Sequence, residues 1–133
     1  MANQPIFPQA IKNSMATLEN TDGTTIKDLV TAGASGTRVD SIAVVSDDTA
    51  DKDILLYVND GSTDFLLGRA TIKAGAGTDG TNKTVSLLNS TDFPFLKEDL
   101  SIYLKATYKL RVAAQTAVAS GKKITISAWN GDY

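Results

Sequence analysis

The feature that most restricts the fold is period-two alternation, repeated in short runs along the chain and interrupted by glycine turns. Residues 100–106, LSIYLKA, put Leu100, Ile102, Leu104 and Ala106 on one face and Ser101, Tyr103 and Lys105 on the other. Residues 124–129, ITISAW, set Ile124, Ile126 and Ala128 against Thr125, Ser127 and Trp129. Successive side chains point to opposite faces only in extended backbone, so each run predicts a strand with one face in a core. Residues 54–58, ILLYV, are apolar on both faces, the pattern of a strand whose second face is also covered. Further strands are expected over 16–18, 25–31, 38–45, 65–72 and 85–88. Residues 109–117 read as a strand with Leu110, Val112 and Ala114 on one face, and their alanine content leaves a short helix as the alternative.

The breaks between runs carry turn chemistry. Asp22-Gly23, Asp60-Gly61, Asp79-Gly80 and Asn130-Gly131 each pair a glycine with a side chain able to close an Asx-turn. Asp60-Gly61 lies between two apolar runs and predicts a hairpin. Residues 73–83, KAGAGTDGTNK, hold three glycines and no large apolar residue, and read as the most flexible loop. Neither long capped helical periodicity nor strand–helix alternation is present, which argues against parallel α/β folds. The expected fold is all-β: an antiparallel β-sandwich, jelly-roll-like, with eight or nine short strands.

A chain of 133 residues suits one domain. Residues 1–10 stand apart, because Pro5 and Pro8 oppose regular pairing and favour an extended path. The expected organisation is an extended N-terminal arm, 1–10, and a single β-sandwich domain, 11–133. Ile6 and Phe7 are the apolar residues of the arm and need a surface to cover, either on their own sandwich or on a neighbouring subunit.

Composition narrows function more than fold. The chain has no His and no Cys, so the commonest general bases, thiol nucleophiles and transition-metal ligands are missing, and no catalytic residue, metal site or cofactor is expected. Thirteen basic and 15 acidic residues give a net charge of −2, which argues against nucleic acid and against an anionic membrane as partners. No apolar run approaches the 18 residues of a membrane span, and the N-terminus lacks the pattern of a signal peptide.

The remaining candidates are structural. Residues 46–53, SDDTADKD, cluster four aspartates, but the spacing is not that of a calcium loop, and they read as a solvated connection. Glycine-rich GASG and GAGTDG lack the strand–loop–helix setting of a phosphate loop. Phe93, Phe95 and Leu96 are expected to anchor their connection to the core. Tyr103 and Trp129 fall on the polar faces of their strands, where partial burial, a subunit contact or a ligand platform are the alternatives. Residues 30–44, VTAGASGTRVDSIAV, read as a strand-to-strand corner in which Gly33 and Gly36 adopt conformations that side chains resist, with Arg38 and Asp40 sharing a face.

That corner also carries a resemblance. Ala32, Gly33, Gly36, Arg38, Val39, Asp40 and Ile42, followed by Leu56, Tyr57, Asp60 and Gly61 and ending in Gly131, Asp132 and Tyr133, resemble a family of small tailed-bacteriophage virion structural proteins. The likeness extends from Pro5 to the last residue, and departs from the family pattern at Trp129-Asn130 and in the longer polar stretch 73–83. It implies a capsid decoration (cement) protein made in the host cytoplasm and carried on the capsid surface of the virion. Such a protein bridges subunits of the major capsid protein and forms a homo-oligomer, a dimer or trimer. Ile6, Phe7, Tyr103, Trp129, Tyr133 and the loop 74–82 are then the candidate subunit or capsid contacts. Two other readings remain: a tail or receptor-binding accessory protein contacting glycans through Trp129, and a small carbohydrate-active hydrolase using paired acids.

Overall fold

At the middle of the chain β4 (Lys52–Asn59) and β5 (Asp64–Ile72) form a hairpin around Asp60 and Gly61. Asp60 Oδ1 accepts the backbone N–H groups of Ser62 and Thr63, and Asn59 Oδ1 accepts that of Gly61, so the turn is closed by its own side chains. From this hairpin the two halves of the chain run back alongside each other. β3 (Thr37–Ser46) pairs with β6 (Val85–Ser86) and β7 (Ile102–Leu104), β2 (Lys27–Thr31) with β8 (Lys109–Ala114), and β1 (Ala10–Glu19) with β9 (Lys123–Asp132). The structure is a computed structural model that describes residues 8–96 and 99–133.

Wrapping this ribbon gives two antiparallel sheets. One has the order β1-β9-β3-β6, with β7 also on β3, and the other the order β2-β8-β4-β5. That arrangement is the strand order of a jelly roll, and the nine strands of the described residues form the expected β-sandwich. Long-range pairing of this kind leaves almost every strand dependent on a partner from the other half of the chain.

The core lies between the sheets. Leu18, Val39, Ile42, Val44, Ile124, Ile126 and Ala128 face inward from the first sheet, and Val30, Ile54, Leu56, Ile72, Leu110 and Val112 from the second. Residues 109–114 are a strand, with Leu110, Val112 and Ala114 buried, and the helical alternative does not occur. Phe93 plugs the sandwich against Gly68, where a Cβ would lie 3.0 Å from its ring. Leu96 is buried as expected, but Phe95 is half exposed: it meets Phe93 edge-on at 6.1 Å and is left outside the core.

Four expectations are corrected by the tertiary structure. Strand β1 starts at Ala10 and spans ten residues, where only 16–18 looked extended. The run 100–106 yields only the three residues of β7, because Leu100 (φ 53°) and Thr107 (φ 72°) are left-handed and end the extended stretch. Asn130-Gly131 is not a turn but part of β9, held between β1 and β3. The loop 73–83 is also bound down: Ser46 N–H donates to Ala76 O, Gly77 N–H to Asn82 O and Asn82 Nδ2 to Ala74 O, and Ala76 is fully buried.

Candidate functional site: the outer faces and the terminal corner

The corner between β2 and β3 and the C-terminus of β9, a hundred residues apart in sequence, form one unit. Gly33 N–H donates to Thr37 Oγ1 at 3.0 Å, and Thr37 Oγ1–H donates to Asp132 Oδ1. Lys12 Nζ from β1 reaches the same carboxylate oxygen at 3.3 Å. Gly36 N–H donates to Gly33 O, and Tyr133 N–H donates to Gly36 O at 3.1 Å. Gly36 has φ 91°, and a Cβ there would sit 2.9 Å from Leu104 O, so conformation and space both demand glycine. Gly33 is different from the expectation: its backbone is not left-handed, and what excludes a side chain is the Asp132 carboxylate, 2.8 Å from where a Cβ would lie.

Arg38 and Asp40 do pair, Nε to Oδ1 at 2.8 Å, partly exposed. The pairing register of β3 on β9 shifts between Val39 and Ser41, leaving Asp40 as the extra residue of a bulge that keeps the two side chains together. A surface pair of this kind is worth little in stability, and its consequence is that the two charges neutralise each other.

The aspartate loop between β3 and β4 is less solvated than its composition suggests. Asp48 is buried, and its carboxylate accepts the N–H groups of Ala119 and Ala50, both at 2.9 Å. Burial disfavours its ionisation, but these N–H donors and the nearby Lys52 outweigh burial and hold the carboxyl below its usual value. Asp47 accepts Lys123 N–H and Asp51 accepts Ala74 N–H, so the cluster ties three loops together. Among the described residues no group of three or more acidic side chains is arranged to hold a metal ion.

The outward faces of the two sheets are built differently. On the β2-β8-β4-β5 face, Arg111 bridges Asp28 (Nε–Oδ1, 2.8 Å) and Asp64 (Nη1–Oδ2, 2.8 Å), while Lys109 also reaches Asp28 at 3.1 Å. Arg69 continues the ladder toward Gln115 and Asp53. On the β1-β9-β3 face the aligned rows are Glu19 and Lys123; Thr17, Thr125 and Val45; Met15, Ser127 and Ala43; Asn13, Trp129 and Ser41; and Ile11, Gly131 and Arg38. Ile11 is 91% exposed, Met15 64% and Trp129 47%. A shallow groove of about 310 Å³ runs between Pro8, Ile11, Trp129 and the Arg38–Asp40 pair.

The sequence-derived contact candidates divide accordingly. Trp129, Arg38 and Asp40 line one groove, and Tyr103 stands next to Arg38 across the β3–β7 pair, exposed, with its hydroxyl donating to Asp99 Oδ2 at 3.1 Å. Tyr133 is partly buried and tied to the corner by its backbone. Ile6 and Phe7 lie outside the described residues. Ile11 and Met15 went unrecognised in the sequence: AIKNSMATLE alternates polar with apolar only from Ala16 onward, and the outward positions before it mix Ile11, Asn13 and Met15. Gln9 N–H donating to Asp132 O marks how far β1 extends.

No family model matches the chain, and no curated protein matches it. The fold is shared with a solved structure, described as the acidic stable capsid structure of Helicobacter pylori bacteriophage KHP30. The TM-score is 0.61 at 11% identity, with 94% of this chain and 90% of that chain covered. At that identity the likeness establishes the fold: both chains are built over almost their full length on the same two-sheet sandwich.

Proposed function

We propose that the chain is a structural component of a bacteriophage virion: a decoration protein that binds the outer capsid surface, as a homo-oligomer, and bridges major capsid protein subunits. The observation that carries this reading is the full-length fold shared with a chain of a phage capsid structure. Two further features support it. The chain has no His or Cys, and three of its exposed large apolar side chains, Ile11, Met15 and Trp129, share one sheet face, an arrangement suited to holding neighbours together rather than to chemistry. In this reading the protein performs no reaction. It reinforces the shell because each copy contacts more than one capsid subunit, so separating those subunits requires losing several contacts at once.

Quantitative protein analysis of purified particles tests the proposal. Hundreds of copies per particle, retained on tailless shells emptied of DNA, are expected. Absence from such shells overturns the reading. A tail or receptor-binding part is the second reading, favoured by the half-exposed Trp129 beside the polar Asn13, Arg38 and Asp40, and it requires a dozen copies or fewer.

A further inference from the structure

The difference between the two outer faces points to how the chain docks. The β2-β8-β4-β5 face carries a charge ladder centred on Arg111, and such a face is satisfied by itself and by water. On the β1-β9-β3 face, the three rows from Thr17 to Ser41 contain no charged side chain, and the next row adds only Arg38, neutralised by Asp40. Hydroxyls, Asn13, Gly131, alanine, valine and three exposed apolar side chains make up the rest of these rows, and the charges of Glu19 and Lys123 lie beyond them at the far end of β1 and β9. Burying this face against a neutral partner leaves no charge stranded, whereas burying the other would desolvate a whole network.

The adjoining sheet edge is closed to a foreign strand. Lys27 Nζ, from β2, donates to Thr17 O on β1 at 2.6 Å, and Lys12 Nζ donates to Thr31 O at 2.9 Å. Lysines placed in this way blunt strand addition, so the flat face rather than the edge is left for contact.

We propose, building on the virion reading above, that the outer face of the β1-β9-β3 sheet, centred on Trp129 and flanked by Met15 and Ile11, is the surface that docks onto an uncharged protein surface repeated over the shell. Its size argues for that occupant over a second copy. Three strands of ten residues, at about 3.3 Å per residue and about 4.8 Å spacing, offer at most roughly 480 Å². A stable pair needs about 800 Å² per partner, so face-to-face dimerisation through this surface alone is weak. A shell presenting the same neutral surface at many positions to a multivalent protein compensates for that weakness. Because no net charge is buried, binding is insensitive to salt.

The test uses shells stripped of this protein and full-length chains, with occupancy read by co-sedimentation. Met15→Lys/Trp129→Lys is expected to lower occupancy at least tenfold. Phe65→Lys/Leu66→Lys, which alters two similarly exposed side chains on β5, is expected to leave it unchanged. Circular dichroism and thermal unfolding confirm that both variants are folded. Wild-type occupancy is expected to stay constant between about 0.1 and 1 M salt, over which the screening length falls from ~10 to ~3 Å. If wild type binds and the Met15/Trp129 variant binds equally well, this face is wrong while the virion reading stands. A steep loss of binding with salt likewise overturns it, in favour of the charged face. A tight wild-type dimer in solution that the Met15/Trp129 variant abolishes makes a second copy the occupant and also overturns it. Failure of wild type to bind shells at all removes the virion reading and this proposal together.

Discussion

The Asp132 carboxylate occupies the space that a side chain at Gly33 would need, 2.8 Å from the position of a Cβ. It does so while accepting the Thr37 hydroxyl and pairing with Lys12, so it cannot swing away without releasing both. Two short motifs near opposite ends of the chain are therefore one structural device, which joins β1, β3 and β9 at one end of the sandwich.

Gly33→Ala is expected to cost about 1–3 kcal/mol through this clash. Asp132→Ala is expected to cost about 1–3 kcal/mol through the lost hydrogen bonds. Since removing the carboxylate clears room for the new methyl group, the double variant should be less destabilised than the sum. Urea unfolding of the four proteins measures this coupling, and strict additivity would contradict the packing described.

Gly36→Ala meets two penalties at once: a left-handed backbone at φ 91° and the Leu104 carbonyl at 2.9 Å. A loss of at least about 1–3 kcal/mol is expected from the backbone alone, read as a lower Tm.

Acid should weaken the fold, and the direction follows from the aspartates. Burial of Asp48 opposes its ionisation but is outweighed by the N–H groups of Ala119 and Ala50. Asp64 is lowered chiefly by the Asn59 amide and then by Arg111, and Asp28 is lowered by Lys109 and Arg111 despite its desolvation. All three titrate below 3.8 when folded, so the unfolded chain takes up more protons in acid. Their stabilisation is complete above the unfolded value and is lost as pH falls through it toward the folded values. With no histidine, stability should be nearly flat from about pH 5.5 to 7. Asp48→Asn is expected to destabilise at neutral pH by about 1–3 kcal/mol, with the gap to wild type narrowing toward acid. Denaturant midpoints across this range test both statements.

Phe93 and Phe95 look alike in the sequence but should respond differently. Phe93→Ala removes a fully buried ring and is expected to cost about 3–5 kcal/mol. Phe95→Ala is expected to cost well under half of that, because its ring is already half exposed. Equal losses in thermal unfolding would refute the placement of the two rings.

Much of this architecture was legible in the chain itself. Alternation is a local property, so Ile124, Ile126 and Ala128 announce the inward face of β9, and Asp60-Gly61 announces the hairpin without knowledge of any partner. Strand ends were less legible, because β1 is held extended from Ala10 onward by pairing with β9 rather than by its own pattern.

The sequence alone determined that this is an all-β chain, where its inward faces and its central turn lie, and that it lacks the usual side chains of catalysis. Only the tertiary structure decided which strands share a sheet, because a strand's hydrogen bonds are satisfied by whatever partner the wrapped ribbon brings beside it. That same step set Asp132 against Gly33, buried Asp48 among loop N–H groups and left Ile11, Met15 and Trp129 together on a face whose central rows carry no charge. Each of these depends on distance between residues far apart in the chain, which no local pattern encodes.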